Sequence, residues 1–155
     1  MNFDSLSLLS AKHPADKALK SELLALNEKS EEYGLRLSEK EVSMLVEAGH
    51  EALAVQERVE FGKSVTARII EKFMQSSYIS QNEYADTIAA LIEIFYEAKE
   101  ESLDLLTDEE VINIMFSFFE KESGGSLEVL RERDMECLCR RIRDAANGFG
   151  ETDYE

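Results

Sequence analysis

The sequence predicts an all-α protein, a compact bundle of about five or six helices. Apolar side chains recur every three or four positions along most of the 155 residues, which is the period of an amphipathic helix. The chain has one proline and seven glycines, too few for a β-sandwich or a linker-rich array. No convincing strand of four to eight alternating apolar and polar residues lies between turn signals, so we predict no strand.

The chain is predicted to consist of an arm, one helical domain and a tail. Residues 1–14 form the N-terminal arm, because Pro14 separates them from the first helical pattern. Residues 15–148 form the single helical domain, a size typical of one domain. Residues 149–155 form an acidic C-terminal tail.

Signals for helix starts and stops delimit the first two helices. The first is expected over residues 15–33, followed by Gly34 in the left-handed conformation that often ends a helix. The second begins at Ser38, which forms a capping box with Glu41, and ends near Arg58.

The second predicted helix has two apolar lines. A core stripe follows the 3.6-residue period and comprises Val42, Leu45, Val46, Gly49 and Leu53. A second line widens the apolar face of this helix and comprises Met44, Ala48, Ala52 and Val55.

The third helix is predicted over residues 63–75. The fourth starts at a second capping box, Ser80 with Glu83, and continues to about Ser102. Because it is the longest and most apolar helix, with Ile88, Leu91 and Phe95 inward, we predict that it is central.

The last two helices have equally clear boundaries. Thr107 and Glu110 form a third capping box, and the pair Gly124-Gly125 ends the fifth helix. The sixth helix is predicted over residues 127–146.

Charge and hydropathy exclude several classes of function. Thirty-three acidic and 17 basic residues give a net charge of −16, which opposes binding to nucleic acid and to anionic membranes. No stretch of about 18 apolar residues is present, so we predict no membrane span. The N-terminus lacks the pattern of a secretory signal, which makes the cytoplasm the expected location.

Several segments between Arg58 and Leu130 resemble a family of uncharacterised bacterial proteins with no assigned activity. They are Val59-Glu60-Phe61-Gly62, Tyr78-Ile79-Ser80-Gln81, Tyr84-Ala85-Asp86-Thr87, Ile94-Phe95-Tyr96, Leu106-Thr107-Asp108-Glu109-Glu110 and Gly125-Ser126-Leu127-Glu128. The resemblance implies a bacterial origin and a stand-alone domain. It supplies no active-site residues.

The pair Glu47 and His50 is the sharpest candidate for chemistry. Glu-x-x-His on a helix places a carboxylate and an imidazole on one face, as di-iron bundles require. Those sites need two such pairs, and the other histidine, His13, has no glutamate three residues before it. We therefore predict a solvent-facing pair that tolerates substitution, with no metal and no cofactor.

Two cysteines are separated by one residue, Cys137 and Cys139. On a helix they point about 200° apart, so they cannot chelate one ion together. Cys139 falls in line with core residues, whereas Cys137 is predicted to be partly exposed and open to activation by nearby arginines. We expect two reduced thiols, the ordinary state for cysteines in this setting.

Charge is distributed unevenly along the chain. Residues 93–110 include eight acids and one base, Lys99, whereas residues 131–144 include five arginines and four acids. The arginines are Arg131, Arg133, Arg140, Arg141 and Arg143. They can pair with the acidic turn between the fourth and fifth helices, meet a partner, or form a solvated helix face.

These observations favour a protein–protein interaction module, self-association being one form of that role. No catalytic residue is assigned, and an enzyme is the less favoured class. The alternative is a small helical metal-binding protein or enzyme that uses Glu47, His50 and the fourth-helix acids Glu93 and Glu97. A third hypothesis is an acidic mimic of nucleic acid that occupies a DNA-binding partner.

Overall fold

A computed structural model describes residues 14–60 and 63–148, and this part of the chain is all-α with no strand. The prediction of a helical bundle is therefore confirmed. The predicted arm and tail, including His13, lie outside the described residues apart from Pro14. The α-helices are α1 (Pro14–Ala25), α2 (Asn27–Ser30), α3 (Glu39–Val55), α4 (Val65–Phe73), α5 (Tyr84–Glu101), α6 (Asp108–Glu120), α7 (Leu127–Val129) and α8 (Glu136–Ala146).

Two 3₁₀ turns and one π-helical segment complete the helical structure. The 3₁₀ turn Glu31–Tyr33 extends α2, and the turn Gln81–Glu83 precedes α5. The π-helical segment Leu130–Met135 joins α7 to α8 without a break. The last three elements together make the final helix predicted over residues 127–146.

Helix α5 is central, as predicted. It packs against α3, α4, α6 and α8. Ile88, Leu91 and Phe95 are completely buried, and the Phe95 ring lies edge-on to Tyr96 at 4.9 Å between centroids. Because most of its circumference is buried, α5 forms the axis around which the other helices are arranged.

Helices α3 and α5 run in the same direction. At their starts, the Arg36 amide donates to the Gln81 side chain at 2.7 Å. Towards their ends, the Gln56 side chain donates to the Tyr96 carbonyl at 2.8 Å. The two helices therefore present their carboxyl ends at the same end of the bundle.

Two of the three predicted capping boxes are present. The Glu41 amide donates to the Ser38 hydroxyl and the Glu110 amide to the Thr107 hydroxyl, each at 3.1 Å, and both glutamates reach back to the cap amide. These side chains satisfy backbone donors that have no partner within the helix.

The capping box predicted for Ser80 and Glu83 is wrong. Ser80 is followed by the 3₁₀ turn, and α5 begins only at Tyr84, with no side-chain cap. The Gln81 side chain makes a second bond, to the Arg36 carbonyl at 2.9 Å. This pair of tertiary bonds holds the turn against the segment before α3.

The first predicted helix is interrupted. Residues 15–33 do not form one helix, because the chain turns at Leu26 between α1 and α2. The buried Asn27 side chain donates to the Leu37 carbonyl at 2.9 Å and accepts from the Leu37 amide at 2.8 Å. Gly34 then adopts the predicted left-handed conformation, with φ of +76°.

The second apolar line of α3 is only partly covered by the fold, and of its members Ala52 packs against the core. Met44 is 39% exposed and Val55 is 82% exposed, while Ala48 and Ala52 are half-buried. Helices α1, α4 and α5 pack on α3 in the described residues, and they bury Val42, Leu45 and Val46 instead. We call Met44, Ala48, Ala52 and Val55 the α3 strip.

We expect Phe95→Ala to lower the free energy of unfolding by about 3–5 kcal/mol, because it removes a large, enclosed side chain and leaves a cavity. The matched control is Tyr33→Ala, which truncates a ring that is 54% exposed and should cost less than about 0.5 kcal/mol. Urea unfolding of both variants measures the difference. Equal losses would contradict the central position of α5.

We expect Gly125→Ala to destabilise the protein far more than Gly124→Ala. Both glycines have positive φ, +84° and +57°, but a Cβ at Gly125 would lie 2.5 Å from the Tyr78 ring, whereas Gly124 faces open space. Strain alone costs about 1–2 kcal/mol, and the overlap adds about 1–3 kcal/mol at Gly125. Thermal and urea unfolding measure both variants, and similar losses would show that the contact with Tyr78 is unimportant.

Candidate functional site

Helices α3 and α5 both end in non-glycine residues in the left-handed conformation. Glu57 after α3 has φ of +53°, and Leu103 after α5 has φ of +58°, where Asp104 follows with φ of +57°. The Arg58 amide donates to a carbonyl of the last turn of α3 at 2.8 Å, and the Asp104 amide donates to a carbonyl of the last turn of α5 at 2.9 Å. This is the Schellman pattern of a helix end. Because left-handed geometry costs an L-residue about 1–2 kcal/mol, other contacts have to hold these two ends.

An ion pair joins the two helix ends. The Arg58 guanidinium donates two parallel bonds of 2.9 Å to the Asp104 carboxylate. This bidentate geometry is the strongest arrangement for an arginine and a carboxylate. Hydrogen bonding to Arg58 lowers the pKa of Asp104, and the same contact raises the pKa of Arg58.

Beneath this pair lies a buried lysine. The Lys99 side chain is 11% exposed, and its ammonium lies 2.9 Å from an Asp108 oxygen and 3.7 Å from Asp104. It also donates to the Leu106 carbonyl at 2.8 Å. A buried ammonium requires such partners, so Lys99 fixes the path of the chain from α5 to α6.

A cleft of about 390 Å³ opens beside these charges. Glu60 on its wall accepts from the Val65 amide at 2.8 Å and from the Tyr96 hydroxyl at 3.4 Å. Burial, together with the nearby Glu60 charge, raises the pKa of Tyr96 and keeps its hydroxyl protonated. The Arg58–Asp104 pair and the protonated Tyr96 hydroxyl beside Glu60 therefore hold the loops around this cleft in place.

Glu47 and His50 are exposed, as predicted. His50 is not an ordinary surface residue, however: its Nε2 lies 3.0 Å from the Asp16 carboxylate, whose side chain is only 7% exposed. Asp16 lies in the first turn of α1, where the helix dipole favours a carboxylate. The expectation that His50 tolerates substitution is therefore revised, because it connects α3 to a buried group on α1.

Glu93 and Glu97 lie together on α5, where Arg131 binds both. The Arg131 Nε donates to Glu97 at 3.0 Å, and its guanidinium lies 3.5 Å from Glu93. Among residues 14–60 and 63–148, no three His, Cys, Asp or Glu side chains are grouped to hold a metal ion. Of the four residues of the metal hypothesis, Glu93 and Glu97 thus contact Arg131, and His50 contacts Asp16 instead.

The arginines of the last helix make contacts of several kinds. Arg131 and Arg143 reach α5, the latter lying 3.8 Å from the Glu101 carboxylate. Arg140 pairs with Glu136 one turn earlier on the same helix, and Arg133 with its neighbour Asp134. The acids they reach are thus not those of the turn after α5, whose Asp104 contacts Arg58 instead.

The two cysteines are placed as predicted. Cys139 is buried with its Sγ 3.7 Å from the Ala98 carbonyl, whereas Cys137 is exposed, and both are free thiols. Burial raises the pKa of the Cys139 thiol to about 11. Cys139 is therefore a protonated core side chain.

A shallow groove separates α3 from α5 on the outside of the bundle. Its volume is about 230 Å³, and it is lined by Ala48, Glu51, Ala52, Val55, Gln56, Glu93, Tyr96 and Glu97. Three of these residues belong to the α3 strip, and three are glutamates at the edges. The groove therefore combines an apolar floor with acidic rims, a pattern typical of a surface that binds another chain.

Sequence reasoning missed Arg58, Lys99 and Asp16 as residues that fix this end of the molecule. One signal existed for Lys99, which follows Leu91 and Phe95 at helical spacing and is therefore directed at the core.

Within the described residues, every helix falls short of the length or hydropathy that a membrane span requires.

We expect Arg58→Gln to raise the pKa of Asp104 back towards the ordinary value of 3.8, because the bidentate bond to the charged carboxylate is lost. In the wild type the lowered pKa stabilises the folded state above about pH 4, and this contribution disappears as pH falls through the folded-state value. The variant should therefore lose less stability between about pH 4 and pH 2. NMR titration of the Asp104 carboxyl measures the shift. Arg140→Gln, which removes an exposed pair, is the control, and an unchanged Asp104 pKa in Arg58→Gln would contradict the assignment.

We expect His50→Ala to cost about 1–2 kcal/mol, because it leaves a buried carboxylate without this partner. Glu47→Ala, on the same face of α3, is the control and should change stability by less than about 0.5 kcal/mol. A double-mutant cycle with Asp16→Asn, followed by urea unfolding, isolates the coupling. A coupling of zero would show that the contact contributes nothing.

Comparison with known proteins identifies a family. No curated protein and no solved structure matches the chain. A family model described as "Family of unknown function (DUF6323)" matches residues 22–148, which include all the segments that carry the resemblance noted above. That description confirms the prediction that the family has no assigned activity. Because the match covers most of its length, the chain belongs to this family of unknown function.

Proposed function

We propose that this protein is a protein–protein interaction module whose contact surface is the α3 strip. The observation that carries the proposal is an apolar line at helical spacing that the fold leaves accessible, with Val55 82% exposed and Met44 39% exposed. These two positions are eleven residues apart along the helix, so the strip is about 16 Å long. A continuous apolar line on an exposed helix face is a common mark of an interaction site.

The surroundings of the strip support the proposal, because they hold it rigid. The Gln56 side chain anchors the end of α3 to α5 through the Tyr96 carbonyl at 2.8 Å. The Arg58–Asp104 pair then holds the two helix ends together. A surface that is already ordered loses less conformational entropy on binding, which favours affinity.

A different protein suits this surface better than a second copy of the chain. Each copy has a net charge of −16, so two copies repel each other at low ionic strength. Self-association through the strip remains the less favoured form of the proposal.

The proposal is tested by photo-crosslinking in the cells that produce the protein. A photoreactive phenylalanine in place of Met44 should yield a discrete heavier adduct, and adding Val55→Glu should abolish it, because a charge is placed in the apolar contact. The same photoreactive residue in place of Tyr33, an exposed side chain that is not part of the strip, is the control. Equal adducts from both positions, or an adduct that survives Val55→Glu, would contradict the proposal.

A further inference from the structure

We infer that the partner of the α3 strip is a basic amphipathic helix that lies in the groove between α3 and α5. This inference rests on the proposed function and specifies the chemistry of the partner. The juxtaposition that carries it is an apolar floor between glutamates from two different helices.

The shape of the groove suits a third helix. Helices α3 and α5 run in the same direction, and between them small side chains, Ala48 and Ala52, form part of the floor. Small residues let another helix approach closely, because the distance between helix axes depends on the side chains at the contact. Apolar side chains spaced three and four residues apart on the partner can then lie along the strip.

The charge of the rims selects a basic partner. Glu51 borders the groove on α3, and Glu93 and Glu97 border it on α5. The Glu93 side chain is 62% exposed and the Glu97 side chain is 44% exposed. Lysine or arginine residues beside the apolar face of a bound helix would meet carboxylates on both sides. Such complementarity speeds association and discriminates against acidic partners.

The rim already binds one cation from the protein itself. The Arg131 guanidinium contacts both Glu93 and Glu97, although its own side chain is 40% exposed. Hydrogen bonding to Glu97 raises the pKa of Arg131, which is the response of a cation held by carboxylates. A basic partner would therefore compete with Arg131 for these two acids, so removal of Arg131 should strengthen binding.

The test is a selection from a displayed library of helix-forming 18-residue peptides against the wild-type protein at 50 mM NaCl. We expect the selected peptides to carry apolar residues three and four positions apart, flanked by lysine and arginine. Affinities of the synthesised peptides are then measured by fluorescence anisotropy. Raising NaCl to 500 mM should weaken binding by about tenfold or more, since salt screens the exposed charges.

Three variants test the rims. Glu51→Gln combined with Glu97→Gln should weaken binding by about tenfold, which corresponds to about 1.4 kcal/mol. Arg131→Gln should tighten it by roughly threefold, because one competing cation is lost. The control, Glu28→Gln combined with Glu32→Gln, removes the same charge from exposed positions outside the groove and should change affinity little.

Failure of the inference is distinguishable from failure of the proposed function. Neutral or acidic peptides that lose affinity on Val55→Glu would overturn the basic partner and leave the strip as a binding surface. A dimer that is detected by sedimentation and that dissociates on Val55→Glu would likewise overturn the basic partner and leave the strip as a binding surface. Selected peptides indifferent to Val55→Glu would overturn both. Unchanged affinity in the Glu51→Gln, Glu97→Gln variant would place the basic contacts elsewhere and overturn the inference.

Discussion

The enclosure of α5 is the constraint on which the rest of the structure depends. Its buried side chains lie on nearly every side of the helix, including Ile88, Leu91 and Phe95. A helix that is apolar around most of its circumference has to be surrounded, because each large side chain that stays buried contributes about 1.5–3 kcal/mol. Helices α3, α4, α6 and α8 supply that enclosure, and their order around α5 sets which face of each remains at the surface.

The enclosure of α5 extends to its last turns, where a buried positive charge requires an ionic partner. Lys99 is buried there among apolar side chains, and a buried ammonium is stable only when it is hydrogen-bonded and paired. The chain meets this need by bending back so that Leu106 and Asp108 contact Lys99, while Arg58 crosses from α3 to Asp104. The two left-handed helix ends are thus held by ionic contacts, and the loops at this end of the bundle become a fixed platform.

The same arrangement leaves the α3 strip accessible. Burial of Val42, Leu45 and Val46 turns one side of α3 to the core, and the adjoining line of apolar residues is left beside the acids of α5. The Arg131 contact with Glu93 and Glu97 shows that these acids attract a guanidinium. The enclosure of α5 therefore produces both the rigid end of the bundle and the groove that we propose as a binding surface.

Periodicity and capping signals in the sequence were sufficient to predict the all-α class, the central position of α5, the start of α3 at Ser38 and of α6 at Thr107, and the burial of Cys139. Those features depend on contacts within about four residues or on one apolar stripe, so they can be read locally. The Gln81–Arg36 bonds, the contact of His50 with Asp16, the Arg58–Asp104 pair and the exposure of Val55 were decided by tertiary structure. Each depends on which helices become neighbours, and a helical pattern shows which residues share a face but not which element covers that face.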